Sequence, residues 1–445
     1  MKNKSTIIAY DEVIRDLEEV LTKTQEQDDQ GQICQAMENL GRAYLDSGDT
    51  PKALTQFEEA LKIAVKLENK EKQAYLFGYK GMALKAIGNY KMALQAFKKS
   101  NGAAKTIQNA GLLMDSYMQI SILKSEMGKE TEAIGSLNSA IKIASETNDI
   151  QRKMRISSLF TDSFYRIESF DKAAEFAVRA LEAAQELGNR PAECSFLIKI
   201  SNIFLLEGEL ESAIGQYERA LKIASAIEDR DAEINILGGL LRAHALSGDE
   251  RLAIYYGEQV IHLADQTKHY DAAFANIQAL TTFLTEQKQF AKAISHLEKG
   301  LELAEAQNNS IWQVDMLSQL GYTYYLQDQI EEALGHYEKA LVLSTQLQDL
   351  SIQASVLGRI AAVRADIGKI EESVDAAEKS LALAKEIEHI ELMAEQQILL
   401  AFNFRDLDDL DKAAKYCSEA ITSFELIGDS ERMEQAQTLL AELKN

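Results

Sequence analysis

The sequence predicts an all-α, right-handed superhelical solenoid of antiparallel helix pairs. Three observations predict it: a strict 40-residue period, two helical apolar stripes in each period, and a near absence of proline. Stepping by forty from Ala53 meets Ala93, Ala133, Ala173, Ala213, Ala253, Ala293, Ala333 and Ala413, with Ser373 as the one lapse. Eight residues further on runs a column of Leu61, Leu181, Leu221, Leu301, Leu341 and Leu381, with Ile141, Ile261 and Ile421, and only Asn101 out of line. Three beyond that come Ala64, Ala104, Ala144, Ala184, Ala224, Ala264, Ala304 and Ala384. A fixed period of roughly 20–50 residues marks stacked supersecondary units, none able to bury its apolar face alone.

Within a unit the apolar spacing is helical twice, with a break between. In the first unit Cys34, Met37, Leu40, Gly41 and Tyr44 form one stripe, and Ala53, Leu54, Phe57, Ala60, Leu61 and Ala64 form the other. The intervening Gly48-Asp49-Thr50-Pro51 reads as a turn: Gly48 closes the first helix in the left-handed conformation, Thr50 caps the second, and Pro51 fits its first turn. The turn glycine recurs as Gly88, Gly128, Gly208, Gly248 and Gly368, whereas Glu168 and Lys288 replace it. Residues 7–24 align with a second helix and 431–443 with a first helix. The predicted layout is therefore a half-unit cap over 1–30, ten units over 31–430 and a half-unit cap over 431–445, or 22 helices.

Leu40-Gly41-Arg42-Ala43-Tyr44 with Ala53, Phe57, Ala60 and Leu61 resembles the tetratricopeptide repeat (TPR), and so does Leu320-Gly321-Tyr322-Thr323-Tyr324 with Ala333, Tyr337, Ala340 and Leu341. The 40-residue unit exceeds the usual length of about 34 and is similar to the long repeats of LGN and kinesin light chain. The resemblance covers the whole chain and implies a TPR-like solenoid. It says little about function, because this fold serves many partners.

Composition narrows the function classes. The 445 residues include only 2 Pro and 23 Gly, as a nearly all-helical chain should. Met1-Lys2-Asn3-Lys4-Ser5 leads into Ile7-Ile8-Ala9-Tyr10-Asp11, which is too short and too soon acidic for a signal peptide. No window approaches the roughly 18 apolar residues of a membrane span. Cys34 and Cys194 share a column four units apart, too far for a disulfide, which needs Cα atoms within about 7 Å. A cytoplasmic location is expected. With a formal charge of −23, the chain lacks the basic stripe that releases counterions from nucleic acid, and the acid excess suits a solvated surface or a basic partner.

No catalytic or cofactor motif appears. There is no glycine-rich phosphate loop, no Gly-x-Ser-x-Gly and no cysteine pair at zinc spacing. His244 falls in the column of Tyr44, Phe164, Phe204 and Tyr324 and is expected in the core. His296 and His336 occupy one column of neighbouring units, about 10 Å apart or more, too far to share a metal. No enzyme, cofactor or metal is expected.

In a TPR-like stack the first helix of each unit lines the groove, here through the columns of residues 35, 38, 42, 45 and 46. A chaperone-type carboxylate clamp would need Lys in the column of residue 38, which has none, and Asn in that of residue 42, where Asn202 stands alone. The columns instead gather Tyr322 and Tyr325, then Gly358, Ala362 and Ala365, then Ile398, Phe402 and Arg405. Small residues flanked by aromatics, with a cation at the edge, make a candidate hollow for a partner side chain. A second cluster is Ile198, Leu205, Leu206 and Leu246, beside Tyr165 and Arg166. The expected function is a scaffold or adaptor that binds a peptide segment or partner protein in the groove. The alternative is a sensor of a small peptide or effector, as in TPR-based peptide receptors. Ser100-Asn101-Gly102, where the columns ask for Ala then Leu, is expected to weaken the second unit locally.

Overall fold

A three-residue turn recurs at every twentieth residue and sets the architecture. The computed structural model describes residues 4–443. From position 28 to position 428, each twentieth residue has positive φ, whether it is glycine, as at Gly48 (φ 99°), or not, as at Glu168 (φ 57°) and Lys288 (φ 58°). The residue after it reaches back to close the helix: Asn69 N–H donates to the Ala64 carbonyl (3.0 Å) and Asn89 N–H to that of Leu84 (2.9 Å). Where that residue is Asn or Asp it also caps the next helix, the Asn69 side chain accepting from Lys72 N–H (2.9 Å), whereas Lys129, Ser169 and Gln289 make no such bond. One side chain and one left-handed residue thus satisfy both orphaned helix ends. At the Gly48 turn the cap is Asp49, which accepts from Lys52 N–H (3.3 Å), and not Thr50, which is already helical and buried.

The helices are α1 (Lys4–Glu26), α2 (Gln30–Ser47), α3 (Thr50–Lys66), α4 (Lys70–Ala86), α5 (Tyr90–Thr106), α6 (Ala110–Glu126), α7 (Glu130–Thr147), α8 (Ile150–Arg166), α9 (Phe170–Glu186), α10 (Arg190–Glu207), α11 (Leu210–Ala226) and α12 (Arg230–Ser247). There follow α13 (Glu250–Gln266), α14 (Tyr270–Glu286), α15 (Phe290–Ala306), α16 (Ser310–Leu326), α17 (Ile330–Leu347), α18 (Leu350–Asp366), α19 (Ile370–Glu386), α20 (Ile390–Asp406), α21 (Leu410–Ile427) and α22 (Ser430–Leu443). The described residues form no strand. Two compact units divide the chain, Met1–Gly239 and Leu240–Asn445, and the fold class of each is an all-helical stack of the TPR-like solenoid kind.

Each unit is held by the same two packings. The alanine column is buried without exposed surface from Ala53 to Ala413, so paired helices approach closely. At its lapse, Ser373 stays buried by donating to the Ala361 carbonyl (2.7 Å) and accepting from Asn403 Nδ2 (2.8 Å). The second packing matches size across a pair. Gly41 faces Phe57 and Gly81 faces Phe97, a Cβ at either glycine falling 2.6 Å or 2.5 Å from the ring. Gly321 faces Tyr337 in the same way. At Gly257 the space is filled from the next pair, a Cβ there falling 3.0 Å from Leu280. In the first unit, Leu17 and Leu21 of α1 pack on the core around Cys34, Leu40 and Phe57. In the second, Ala436 and Leu439 of α22 join Cys417 and Phe424.

Asn101 is only half-buried and donates Nδ2 to Ser116 Oγ (2.7 Å), while the buried Ser100 donates to the Ala74 carbonyl (2.7 Å). The departures of the second repeat are therefore hydrogen-bonded, not left as vacancies.

Candidate functional site

The predicted residues lie on α16, α18 and α20 of the second unit, and their fates differ. Tyr322 is 44% exposed and Phe402 39% exposed, and Ala362 and Arg405 are also exposed. The Arg405 guanidinium lies 5.2 Å from the Phe402 ring centre and donates Nε and Nη2 to Asp406 Oδ1 (3.0 and 2.8 Å). Tyr325 is half-buried against the core, and its hydroxyl donates to Asp366 Oδ2. That bond, with burial behind it, pushes the phenol up to about 12. Ala365 is half-buried, and Ile398 packs on the core around Ala394, Ala401 and Cys417.

The hollow expected around Gly358 is filled. Gly358 is buried, and the amide of Gln396 sits over it, Nε2 lying 2.7 Å from where a Cβ would stand. Gln396 occupies the column of Val356, an apolar core position in most units, so column reading treats it as one more core residue. An open cavity of about 440 Å³ lies instead one repeat back, among α14, α16 and α18. Tyr322 lines it, together with Gln278, Glu286, Asp315, Ser318 and Arg359.

Asp315 is the chemical centre of this cavity. Burial raises its carboxyl above the usual range, against the opposing pull of Gln319 and Arg359. Gln319 Nε2 donates to Asp315 Oδ2 (2.9 Å). The amide is oriented by the Thr281 hydroxyl, which is shared between the Ile277 carbonyl (2.8 Å) and Gln319 Oε1 (3.1 Å). Arg359 stands beside the Tyr337 hydroxyl and acts on Asp315 only through space. Among the described residues, neither Asp315 nor Arg359 makes an ion pair. Asp315 lies in the groove column of residue 35, but a lone carboxylate in an acidic chain carries no signal of its own.

Other clusters have partners within the protein. His244 is buried and stacks on Tyr256, and His336 stacks on Tyr324. His296 and His262 line a hollow of about 540 Å³ between α13 and α15 with Glu258, Asp265, Lys299 and Glu302. Burial lowers the His296 ring, and Glu258, 3.7 Å away, opposes that shift. No group of three or more His, Cys, Asp or Glu among the described residues could hold a metal ion. In the first unit, Tyr75, Gly78, Tyr79 and Met82 line a hollow of about 360 Å³, at whose edge Asp115 accepts Nε and Nη2 of Arg152 (3.0 and 2.8 Å). Of the second predicted cluster, Ile198 is buried core, whereas Leu206 (56%) and Leu246 (65%) are exposed. No helix of the described residues is long and apolar enough to cross a membrane.

Comparison with known proteins agrees with this architecture. The tetratricopeptide repeat family model matches residues 32–106 and 271–346, and the model of anaphase-promoting complex subunit 5 matches residues 83–161. No curated protein matches the chain. Among solved structures, the apo form of RapI is 14% identical with a TM-score of 0.51, the match covering 90% of this chain and 99% of that one. A signal transduction ATPase with a tetratricopeptide repeat sensor from Pyrococcus horikoshii is 15% identical with a TM-score of 0.48 and covers 80% of this chain and 55% of that one. BtubC from P. vanneervenii is 16% identical with a TM-score of 0.46 and covers 50% and 93%. At these identities the likeness concerns fold. The tetratricopeptide repeat model thus matches two separate stretches, and the helices of each unit stack in the manner of a TPR-like solenoid.

Proposed function

We propose that the protein is a non-catalytic scaffold or adaptor that holds a peptide segment or partner protein on the first-helix face of its second unit. The observation that carries this reading is the run of exposed Tyr322, Ala362, Phe402 and Arg405 on α16, α18 and α20, continuous with the cavity at Asp315. Aromatic and arginine side chains are the usual anchors of interfaces. The buried member of the set, Gly358, shapes the wall beneath, and Tyr325, Ala365 and Ile398 form its half-buried edge. The ten-repeat layout over residues 31–430, of the long-repeat LGN and kinesin light chain kind, and a cytoplasmic location belong to the same proposal.

The test is affinity capture on the purified full chain followed by mass spectrometry, repeated with Ala362→Arg and Phe402→Ala. A stoichiometric protein partner lost from both variants, with melting temperatures unchanged, supports the scaffold. A co-purifying small ligand and no protein partner sinks it in favour of a sensor.

A further inference from the structure

Asp315 lines the cavity among α14, α16 and α18, and among the described residues no cation makes an ion pair with its carboxylate. We infer that this cavity receives a basic side chain, lysine or arginine, of a partner segment lying along α16. The inference rests on the groove reading above and narrows it to a chemistry.

Three observations point to a cation. First, Gln319, itself oriented by Thr281, engages only Oδ2 of Asp315, so Oδ1 accepts no hydrogen bond from the described residues. A carboxylate partly withdrawn from water without a counter-charge in contact carries a desolvation cost, and an incoming ammonium or guanidinium offsets it. Among the described residues the cation that acts on Asp315 is Arg359, which is held beside the Tyr337 hydroxyl and makes no ion pair with the carboxylate. Second, Tyr322 stands seven residues along the same helix, hence on the same face, with its ring 44% exposed at the cavity. An aromatic face beside a carboxylate suits a cation, and arginine above all. Gln278 and Ser318 supply further acceptors on the cavity wall. Third, the surrounding field is negative. Glu286 also lines the cavity, and residues 240–445 carry 34 Asp and Glu against 17 Lys and Arg. That imbalance steers a basic segment in and turns an acidic one away.

The probe is the acetylated, amidated pentapeptide Ala-Ala-Arg-Ala-Ala, with its citrulline and glutamate counterparts, titrated against the full chain by ligand-observed NMR. Citrulline keeps the shape of arginine and removes the charge. The arginine peptide should bind about tenfold or more tighter than the citrulline peptide, as a hydrogen-bonded charge allows. Asp315→Asn should erase that difference, and Arg359→Gln should strengthen arginine binding. Equal affinity for arginine and citrulline peptides, or an arginine preference that survives Asp315→Asn in a folded variant, overturns the inference. If the citrulline peptide binds as well as arginine and Phe402→Ala weakens both, the cation falls while the groove reading stands. If no peptide binds the full chain at all, both fall together.

Discussion

Gly321 lies so close under the Tyr337 ring that a Cβ placed on it would stand 2.8 Å from Cε1. The ring is buried, and its hydroxyl sits beside Arg359, so this contact joins the pairing of α16 with α17 to the wall of the candidate site.

Gly321→Ala should therefore be destabilising although alanine favours helix. Overpacking a tight contact costs about 1–3 kcal/mol. Gly335, mid-helix in α17, has nothing within 4 Å of its would-be Cβ. Gly335→Ala should gain up to about 1 kcal/mol from helix propensity alone. Chemical denaturation of the two variants checks the contrast, and destabilisation by both would show that the glycine contact is not the cause.

Asp315→Asn should stabilise the protein at neutral pH. Burial raises this carboxyl in the folded state, so the unfolded chain ionises it more readily. A raised folded value means a relative stability that is fully present below the unfolded pKa and lost as pH rises through the folded one. The amide is spared that loss. Its advantage in melting temperature should be largest near pH 7 and shrink as pH falls through the raised value. A constant advantage from pH 7 to pH 3.5 would mean the gain comes from something other than ionisation.

Much of the fold was legible because the 40-residue columns report packing directly: the buried alanines and the glycine–aromatic pairs sit where the periodicity puts them. The cap at Asp49 in place of Thr50 escaped because both residue types cap helices, and only backbone geometry separates them. The site was less legible. Columns list what a repeat offers but not what a neighbour inserts, so Gly358 read as empty although Gln396 fills it. Asp315 went unnoticed because its significance lies in having no counter-charge in contact, only the Gln319 amide, which no column records.

The turn positions give a prediction about strain. Glu168 and Lys288 are exposed and left-handed, where a side chain crowds the following carbonyl at a cost of roughly 1–2 kcal/mol. Glu168→Gly and Lys288→Gly should each stabilise by up to about 1 kcal/mol once the greater freedom of the unfolded glycine is subtracted. Chemical denaturation measures this, and no gain at either position would mean that the turn bears no strain there.

The second repeat should still open more easily than its neighbours. Its Asn101 is tied to Ser116 by one hydrogen bond, and Gly102 stands mid-helix with nothing near its would-be Cβ. Hydrogen exchange should run faster over residues 98–106 than over 211–224, where Tyr217, Ala220 and Ala224 are fully buried. Equal protection in the two segments would mean that the Ser100 and Asn101 bonds fully replace the missing apolar contacts.

The candidate binding face can be separated from its packing residue by residue. Phe402 is exposed and engages Arg405, whose guanidinium lies over its ring, so Phe402→Ala should shift stability by no more than about 0.5 kcal/mol. Ile398 packs on the core beside Ala394 and Ala401, so Ile398→Ala should cost on the order of 2 kcal/mol. Tyr325 stands between them: Tyr325→Phe keeps the ring against the core and removes only the hydroxyl bond to Asp366, costing about 1 kcal/mol. Melting and denaturation curves rank the three. If Phe402→Ala proves as damaging as Ile398→Ala, the exposed ring belongs to the framework, and the face loses its central anchor.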